Sequence, residues 1–181
     1  MVYASENGKA RVLLQALKMI LEPKVMVEVG CIRIPIDSAS DGFSTMYLAR
    51  EAKNLGARFF TVDIDQSNLR MAAGLMLGEN LSPVLVWGDG LEFLERAPLE
   101  IDFLHLDGSE PVSTLAQFMA AKPKLSLGCV VCVDDCHNYG GWLYGKGDLL
   151  VPYLEERDDW HVQIIPSALE YKTAVCTRIL R

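Results

Sequence analysis

Acidic residues stand at or just after the ends of five strand-like segments of this sequence. They are Glu28, Asp63, Asp89, Asp107 and the pair Asp134-Asp135. Because the carboxyl ends of parallel strands lie at one edge of a sheet, these carboxylates are expected to converge on a shared rim. Carboxylates gathered in this way can bind the hydroxyl or ammonium groups of a ligand, or hold a hard cation. The repetition across five segments predicts a built site.

The first acid belongs to a segment that leads from a strand into a helix. The run from Val25 to Gly30 is apolar and β-branched apart from Glu28, as expected of a central strand buried on both faces. A charge inside such a strand is costly, so Glu28 is expected at the mouth of the strand. Gly30 and Gly42 allow turns there, and a helix that begins at Ser44-Thr45 directs free backbone N–H groups toward the mouth.

Apolar periodicity and turn residues divide the rest of the chain into alternating strands and helices. Strands are predicted over 25–30, 58–63, 83–87, 101–107 and 127–134, and a closing hairpin over 160–165 and 171–179 around Pro166-Ser167. Helices are predicted from a cap at Ser5 or Asn7 to Leu21, and over 44–55, 65–77, 90–96, 111–121 and 149–157. Residues 135–147 are expected to be a glycine- and aromatic-rich loop. This alternation predicts an α/β fold with a doubly wound parallel sheet.

Bulk properties limit the classes of function. The chain has 181 residues, a net charge of −7 and no lysine or arginine cluster, which argues against binding to a nucleic-acid backbone. It contains no run of about 20 apolar residues and no signal-peptide layout, so a cytoplasmic protein without a membrane partner is expected. Five cysteines at irregular positions predict neither disulfides nor zinc. A single domain over 1–181 is predicted, with an N-terminal helix within 1–22.

With these residues placed, the chain resembles a class I S-adenosylmethionine-dependent methyltransferase, in the form of the small-molecule O-methyltransferases. Three segments carry the resemblance: Glu28-Val29-Gly30 with Gly42-Phe43-Ser44-Thr45, Thr61 to Asp65, and Gly88-Asp89-Gly90. It implies a Rossmann-like seven-stranded sheet of order 3-2-1-4-5-7-6 with the last strand antiparallel. It also implies that Asp63 holds the ribose hydroxyls and that Asp89 meets the adenine amino group. The implied cofactor-binding residues are Glu28, Gly30, Cys31, Gly42, Ser44, Thr45, Asp63, Ile64, Gly88, Asp89, Gly90 and Asp107.

The opening motif departs from the family pattern. Members usually carry a second glycine a few residues after the first, whereas here an inserted loop, 31–42, separates Gly30 from the helix. The insert is expected either to fold over the cofactor or to reach toward the substrate. The pattern is not the Gly-x-Gly-x-x-Gly of dinucleotide-binding enzymes, which argues against a nicotinamide or flavin cofactor.

A narrower resemblance is to metal-dependent O-methyltransferases, which hold magnesium with one acid after strand four and an acid pair after strand five. It implies Asp107, Asp134 and Asp135 as ligands of Mg²⁺, or of Ca²⁺ or Mn²⁺, all of which prefer oxygen ligands. The metal would also relieve the repulsion among three unpaired carboxylates. The alternative is that Asp107 orients the methionine part of the cofactor while Asp134 or Asp135 caps the loop.

The general base is left open between two residues. Glu110 lies where related enzymes carry lysine or histidine, although an acid there also suits a helix start. His137 follows the acid pair and has a pKa range suited to proton transfer. His105 is expected to be a core histidine with a satisfied partner. Lys146 is expected to be solvated, with an approach of Lys146-Gly147 to the site as the alternative.

These features predict methyl transfer to a small-molecule oxygen, assisted by the metal and by the catalytic residues Asp107, Glu110 and His137. One alternative is a non-catalytic cofactor-binding module; another is a metal-dependent hydrolase, in which Asp63 and Asp89 would have no role. The sequence leaves a homodimer open and does not identify the methyl acceptor.

Overall fold

A seven-stranded sheet lies at the centre of the computed structural model, which describes residues 8–36, 43–108, 110–139, 142–168 and 171–179. The strands are β1 (Val25–Val29), β2 (Arg58–Asp63), β3 (Val84–Trp87), β4 (Ile101–Leu106), β5 (Leu125–Val133), β6 (Cys136–Tyr139), β7 (Trp142–Gly145), β8 (Trp160–Ala168) and β9 (Tyr171–Arg178). The helices are α1 (Gly8–Leu17), α2 (Ser44–Leu55), α3 (Gln66–Gly78), α4 (Gly90–Arg96), α5 (Pro111–Ala121) and α6 (Leu150–Glu155), with a 3₁₀ turn at Lys122–Lys124.

The sheet has the order β3-β2-β1-β4-β5-β9-β8. Strands β1 to β5 run parallel, and β9 runs antiparallel between β5 and β8. Within the described part of the chain, strands β6 and β7 pair only with each other, as a separate hairpin. With that hairpin set aside, the order is the predicted 3-2-1-4-5-7-6 with the last strand antiparallel. The predicted α/β fold class is confirmed.

Helices cover both faces of the sheet and form two apolar cores. Side chains of α1, α2 and α3 pack on one face with Met26 and Phe103 of the sheet. Side chains of α4, α5 and α6 pack on the other face with Val27 and Leu104. Successive residues of a strand point to opposite faces, which explains this division and why the central strands are apolar throughout. No helix among the described residues is long and apolar enough to cross a membrane.

Three local predictions differ from the structure. Helix α1 ends at Leu17, before the predicted Leu21, and the predicted caps Ser5 and Asn7 lie outside the described residues. The predicted loop 135–147 contains the β6–β7 hairpin. Pro166 and Ser167 lie within β8 and are not a turn, because β8 is an edge strand in which proline at an irregular register position costs no ladder hydrogen bond.

The ends of β1 and β4 approach each other at two glycines. Gly30 has a φ of +88°, and a Cβ built on it would lie 2.6 Å from the Cα atom of Gly108. The backbone of Gly30 also donates its N–H to the carbonyl of Val62 at 2.8 Å. A side chain at position 30 would therefore force apart the strand ends at the predicted site.

Gly30→Ala is expected to lower the free energy of unfolding by about 2–5 kcal/mol, because it adds a steric clash to an unfavourable backbone conformation. Gly56→Ala is the matched control: Gly56 has a φ of +68°, but open space surrounds the added Cβ. This control should cost about 1–2 kcal/mol. Urea unfolding of the two variants measures the difference. Equal losses would show that the approach to Gly108 does not constrain the fold.

Candidate active site

The loop after β1 is held between the end of β2 and the start of α2. The backbone N–H of Cys31 donates to Asp63 Oδ2 at 2.9 Å, and the N–H of Ile32 donates to Thr45 Oγ1 at 2.9 Å. Thr45 and its neighbour Ser44 are buried at the start of α2. The loop after Gly30 is thus joined directly by hydrogen bonds to Asp63 and to Thr45, which both belong to segments that carry the resemblance. Gly42, which precedes them in the predicted motif, lies outside the described residues.

The segments at the ends of β2 and β3 are also connected to each other. Asp63 Oδ1 accepts the backbone N–H of Asp65 at 2.7 Å, and Trp87 Nε1 donates to the carbonyl of Ile64 at 3.1 Å. Asp89, between Gly88 and Gly90, caps α4 by accepting the N–H groups of Leu91 and Glu92 through Oδ1. The Ile64 side chain is exposed on this rim. Asp63 and Asp89 therefore lie at neighbouring strand ends, as predicted.

Glu28 does not lie at the mouth, and this prediction is wrong. Its side chain is completely buried within the sheet, one residue before the end of β1. Glu28 Oε2 accepts the Thr61 hydroxyl at 2.8 Å, and Oε1 lies 3.2 Å from His105 Nδ1. These two polar neighbours from β2 and β4 offset the cost of burying the carboxylate, so the strand needs no external ligand to tolerate it. A direct contact between Glu28 and a cofactor stays a prediction without geometric support.

His105 is a core histidine, as expected, but within the described part of the chain only one of its two ring nitrogens has a hydrogen-bond partner. Its ring is completely buried, and Nε2 has no hydrogen-bond partner among the described residues. It contributes to the field at the next layer of the sheet, where it favours the charged forms of Asp107 and Asp134.

Asp107, Asp134 and Asp135 converge at the ends of β4 and β5. One carboxylate oxygen from each lies within 4.8 Å of the other two. The backbone explains this proximity, because β4 and β5 are parallel neighbours and Asp134 donates its N–H to the Leu106 carbonyl at 3.1 Å. The predicted meeting of these three residues is observed; their roles stay predictions.

Two lysines fill the space between the three carboxylates. Lys9 Nζ lies 2.6 Å from Asp107 Oδ2 and 2.5 Å from Asp134 Oδ2. Lys146 Nζ lies 2.5 Å from Asp107 Oδ1 and 2.6 Å from Asp135 Oδ2. The expectation that Lys146 is solvated is therefore wrong, and so is the premise that the three carboxylates are unpaired. We call these five residues the acid–lysine cluster.

Sequence reasoning missed Lys9, although the sequence carries a signal for it. Lys9 lies on the same face of α1 as Leu13 and Ala16, four and seven residues further on, and this face is buried. A lysine in the apolar stripe of an amphipathic helix needs a buried partner. Its position in the first turn places the ammonium group over the ends of β4 and β5.

The charges of the cluster follow from burial and pairing. Burial alone would raise the pKa of Asp107, but Lys9 and Lys146 outweigh it and hold that pKa well below its usual range. Burial and the neighbouring charge of Asp107 raise the pKa of Asp134, against the opposing effect of Lys9. Burial would lower the pKa of Lys9, but Asp107 and Asp134 raise it. The ammonium groups are the stable cations of the cluster.

The acid–lysine cluster does not fit the expected magnesium ion as it is arranged. Three carboxylates at this spacing would suit a hard cation, but each already accepts a lysine ammonium group. A divalent ion about 4 Å from one retained ammonium group would meet repulsion of roughly 8 kcal/mol at an effective dielectric constant of about 20. Mg²⁺ also requires near-octahedral geometry with short oxygen bonds. Metal binding here would require the lysines to leave.

A cavity of about 430 Å³ opens beside the cluster. Its lining residues come from four parts of the chain: Arg33, Asp107, Gly108, Glu110, Pro111, Asp135, Gly145 and Lys146. Arg33 belongs to the insert after β1, so the insert contributes to the cavity wall. Glu110 precedes α5 and makes no side-chain capping bond, so its carboxylate is not used by the helix start. Gly108, which contacts Gly30, joins the cavity to the rim of Asp63.

His137 lies in an aromatic stack. Its ring stacks on Tyr144 with centroids 4.9 Å apart and also contacts Tyr171 at 5.3 Å. The described residues that line the cavity do not include His137. The two candidate bases thus differ in their surroundings: Glu110 lines the cavity, whereas His137 packs against Tyr144 and Tyr171.

Lys9→Met is expected to lower the free energy of unfolding by about 3–5 kcal/mol, because it leaves Asp134 buried without its ion-pair partner. Lys18→Met is the control, since Lys18 is exposed just after α1. The double variant Lys9→Met/Asp134→Asn should recover most of the loss, because it removes the unpaired charge as well. Denaturant unfolding of these three variants and of the single variant Asp134→Asn tests this. Simple additivity of the Lys9→Met and Asp134→Asn effects would contradict the coupling.

Comparison with known proteins gives a family and a fold. The family model described as a methyltransferase domain matches residues 39–136, more than half of the chain. No curated protein sequence matches the chain.

Solved structures resemble the fold at low sequence identity. Cofactor-bound Rv0187 from MTB has a TM-score of 0.74 at 18% identity, with 98% of this chain and 82% of that chain covered. A candidate rRNA-methylase from Clostridium thermocellum has a TM-score of 0.71 at 15% identity, with 97% and 100% covered. The O-methyltransferase TomG from Streptomyces achromogenes, solved with SAM, has a TM-score of 0.70 at 19% identity, with 99% and 82% covered. The resemblance to class I S-adenosylmethionine-dependent methyltransferases is confirmed in family and fold, and this chain belongs to the methyltransferase domain family.

Proposed function

We propose that this protein transfers the methyl group of S-adenosylmethionine to an oxygen of a small molecule. The observation that carries the proposal is the adjacency of two sites: the rim at Asp63 and Gly30, and the polar cavity lined by Asp107 and Glu110. They meet where Gly30 contacts Gly108. Such a pair of sites can bring a cofactor and an acceptor together, which is the main requirement of an in-line displacement.

In this proposal the cofactor lies along the rim. Asp63 binds the ribose hydroxyls: Oδ2 accepts the N–H of Cys31 and the side-chain amide of Asn68, while Oδ1 accepts the N–H of Asp65 and has capacity for a further donor. Asp89 uses Oδ1 to cap α4, which leaves Oδ2 for the adenine amino group. The exposed Ile64 side chain offers an apolar surface for the purine. The loop held by Thr45 faces the methionine part.

The acceptor lies in the cavity. Its hydroxyl oxygen attacks the sulfonium methyl group, an O–C bond forms, and the C–S bond breaks with its electron pair going to sulfur. The products are the methyl ether and S-adenosylhomocysteine. The hydroxyl proton passes to the Glu110 carboxylate, which lines the cavity and is not used as a helix cap. No step is assigned to a divalent cation, because the acid–lysine cluster does not fit one.

A small oxygen nucleophile is favoured over a nucleic acid by charge. The chain carries a net charge of −7, and acids provide three of the eight cavity-lining residues. A phosphate backbone would be repelled by this balance. We also keep the cytoplasmic location as part of the proposal, and a homodimer as an open prediction. A non-catalytic cofactor-binding module is the second candidate, separated from the enzyme by turnover alone.

Calorimetric titration with S-adenosylmethionine tests the cofactor site. Asp63→Asn is expected to weaken binding at least about tenfold, or roughly 1.4 kcal/mol, because an amide is a poorer partner for two hydroxyls. Asp65→Asn is the control, since asparagine also caps helices and Asp65 caps α3. No binding by the wild-type protein would remove the methyltransferase proposal.

Methyl transfer from labelled cofactor to catechol-like, sugar and polyketide acceptors tests the chemistry. Once an acceptor is found, Glu110→Gln should reduce kcat about 10²-fold with the cofactor Kd unchanged, because the proton acceptor is lost. Glu95→Gln, on the exposed side of α4, should retain full activity. A Glu110→Gln enzyme with normal kcat would assign the proton to another group. Cofactor binding without turnover on any acceptor would favour the module.

A further inference from the structure

The acid–lysine cluster resembles a metal site in which lysine ammonium groups occupy the place of the metal ion. Lys9 bridges Asp107 and Asp134, and Lys146 bridges Asp107 and Asp135. Every carboxylate that would be a metal ligand is therefore occupied by an ammonium group. Three carboxylates and two ammonium groups leave one excess negative charge, which is close to balance for a buried cluster.

The two lysines differ in their access to the cavity. Lys9 is buried beneath α1, with 8% of its surface exposed, and does not appear among the described cavity-lining residues. Lys146 lines the cavity and has 19% of its side chain exposed. An ammonium group has three N–H donors. Lys146 directs two of them at Asp107 and Asp135, which leaves one for a group in the cavity.

The backbone around Lys146 holds it at this place. The β6–β7 hairpin returns the chain to its starting point, so that Gly145 pairs with Cys136 and the N–H of Lys146 donates to the Asp135 carbonyl at 3.2 Å. Gly145 has a φ of +99°, and a Cβ there would overlap the Asp135 carbonyl oxygen. The hairpin begins directly after the acid pair Asp134-Asp135, and its return strand places Lys146 next to that pair.

We propose that Lys146 replaces the divalent cation in this protein: its ammonium group binds the acceptor oxygen during methyl transfer, and Lys9 neutralises the carboxylates behind it. The inference rests on the proposed function for the identity of the bound oxygen. The exclusion of a metal rests only on the contacts of the two lysines. Lys146 is then a catalytic residue, because it touches the reacting oxygen, and Lys9 is a positioning residue.

Titration of chelator-treated protein with Mg²⁺ alone and Mn²⁺ alone tests the replacement without any activity. Wild-type protein should show no stoichiometric binding at millimolar ion. The double variant Lys9→Met/Lys146→Ala should bind Mn²⁺ stoichiometrically at millimolar ion, because no ammonium group then remains on the three carboxylates. Lys18→Ala, which removes an exposed lysine, should behave as wild type. Tight binding by the wild type overturns the proposal even if a variant fails to fold, and so does a folded Lys9→Met/Lys146→Ala protein that binds no Mn²⁺.

Activity provides the second test. Methyl transfer by the wild type should be unchanged by chelator, and Lys146→Met should lower kcat/KM at least 100-fold while the cofactor Kd changes less than threefold. Chelator-sensitive transfer that magnesium restores would overturn the proposal. Absence of cofactor binding would instead defeat the proposed function, and the metal titration would still decide whether lysine takes the place of the cation.

Discussion

The pairing of three aspartates with two lysines is the interaction on which the site depends. Asp107, Asp134 and Asp135 are forced together by the parallel pairing of β4 and β5, and like charges at this spacing repel strongly when water is excluded. Lys9 and Lys146 offset that repulsion; the first belongs to α1, and the second directly follows the β6–β7 hairpin. The cluster therefore ties α1 and the β6–β7 hairpin to the carboxyl ends of the central strands.

A second polar layer lies one step deeper in the sheet. Thr61, Glu28 and His105 occupy paired positions on β2, β1 and β4 and form a buried hydrogen-bonded row. Asp107 follows His105 by two residues, just after the end of β4. The row joins three neighbouring strands by side-chain hydrogen bonds within the otherwise apolar sheet. The row connects β1, which leads to the rim at Gly30, with β4, which leads to Asp107 in the cavity wall.

Two irregular segments complete the site on this scaffold. The insert after Gly30 is pinned by Asp63 and Thr45 before it provides Arg33 to the cavity wall. The β6–β7 hairpin is pinned by Asp135 before it provides Lys146. In both cases hydrogen bonds of the backbone fix the segment at or next to the residue that lines the cavity. Acceptor specificity is expected in these two segments, since sheet strands tolerate little change.

The sequence by itself determined the sheet, the helix order and the convergence of the acids, because buried parallel strands must be apolar and their ends must share one edge. It also placed Asp63, Asp89, Asp107 and Asp134 at strand ends, since each ends or follows such a strand. Only the tertiary structure decided that Glu28 is buried, that Pro166 continues a strand, and that Lys9 and Lys146 enter the acid cluster. Lys9 and Asp107 are 98 residues apart, and Lys146 and Asp107 are 39 apart. Strand periodicity predicts which face a residue occupies, but the partner that neutralises a buried charge comes from whichever distant element packs above it.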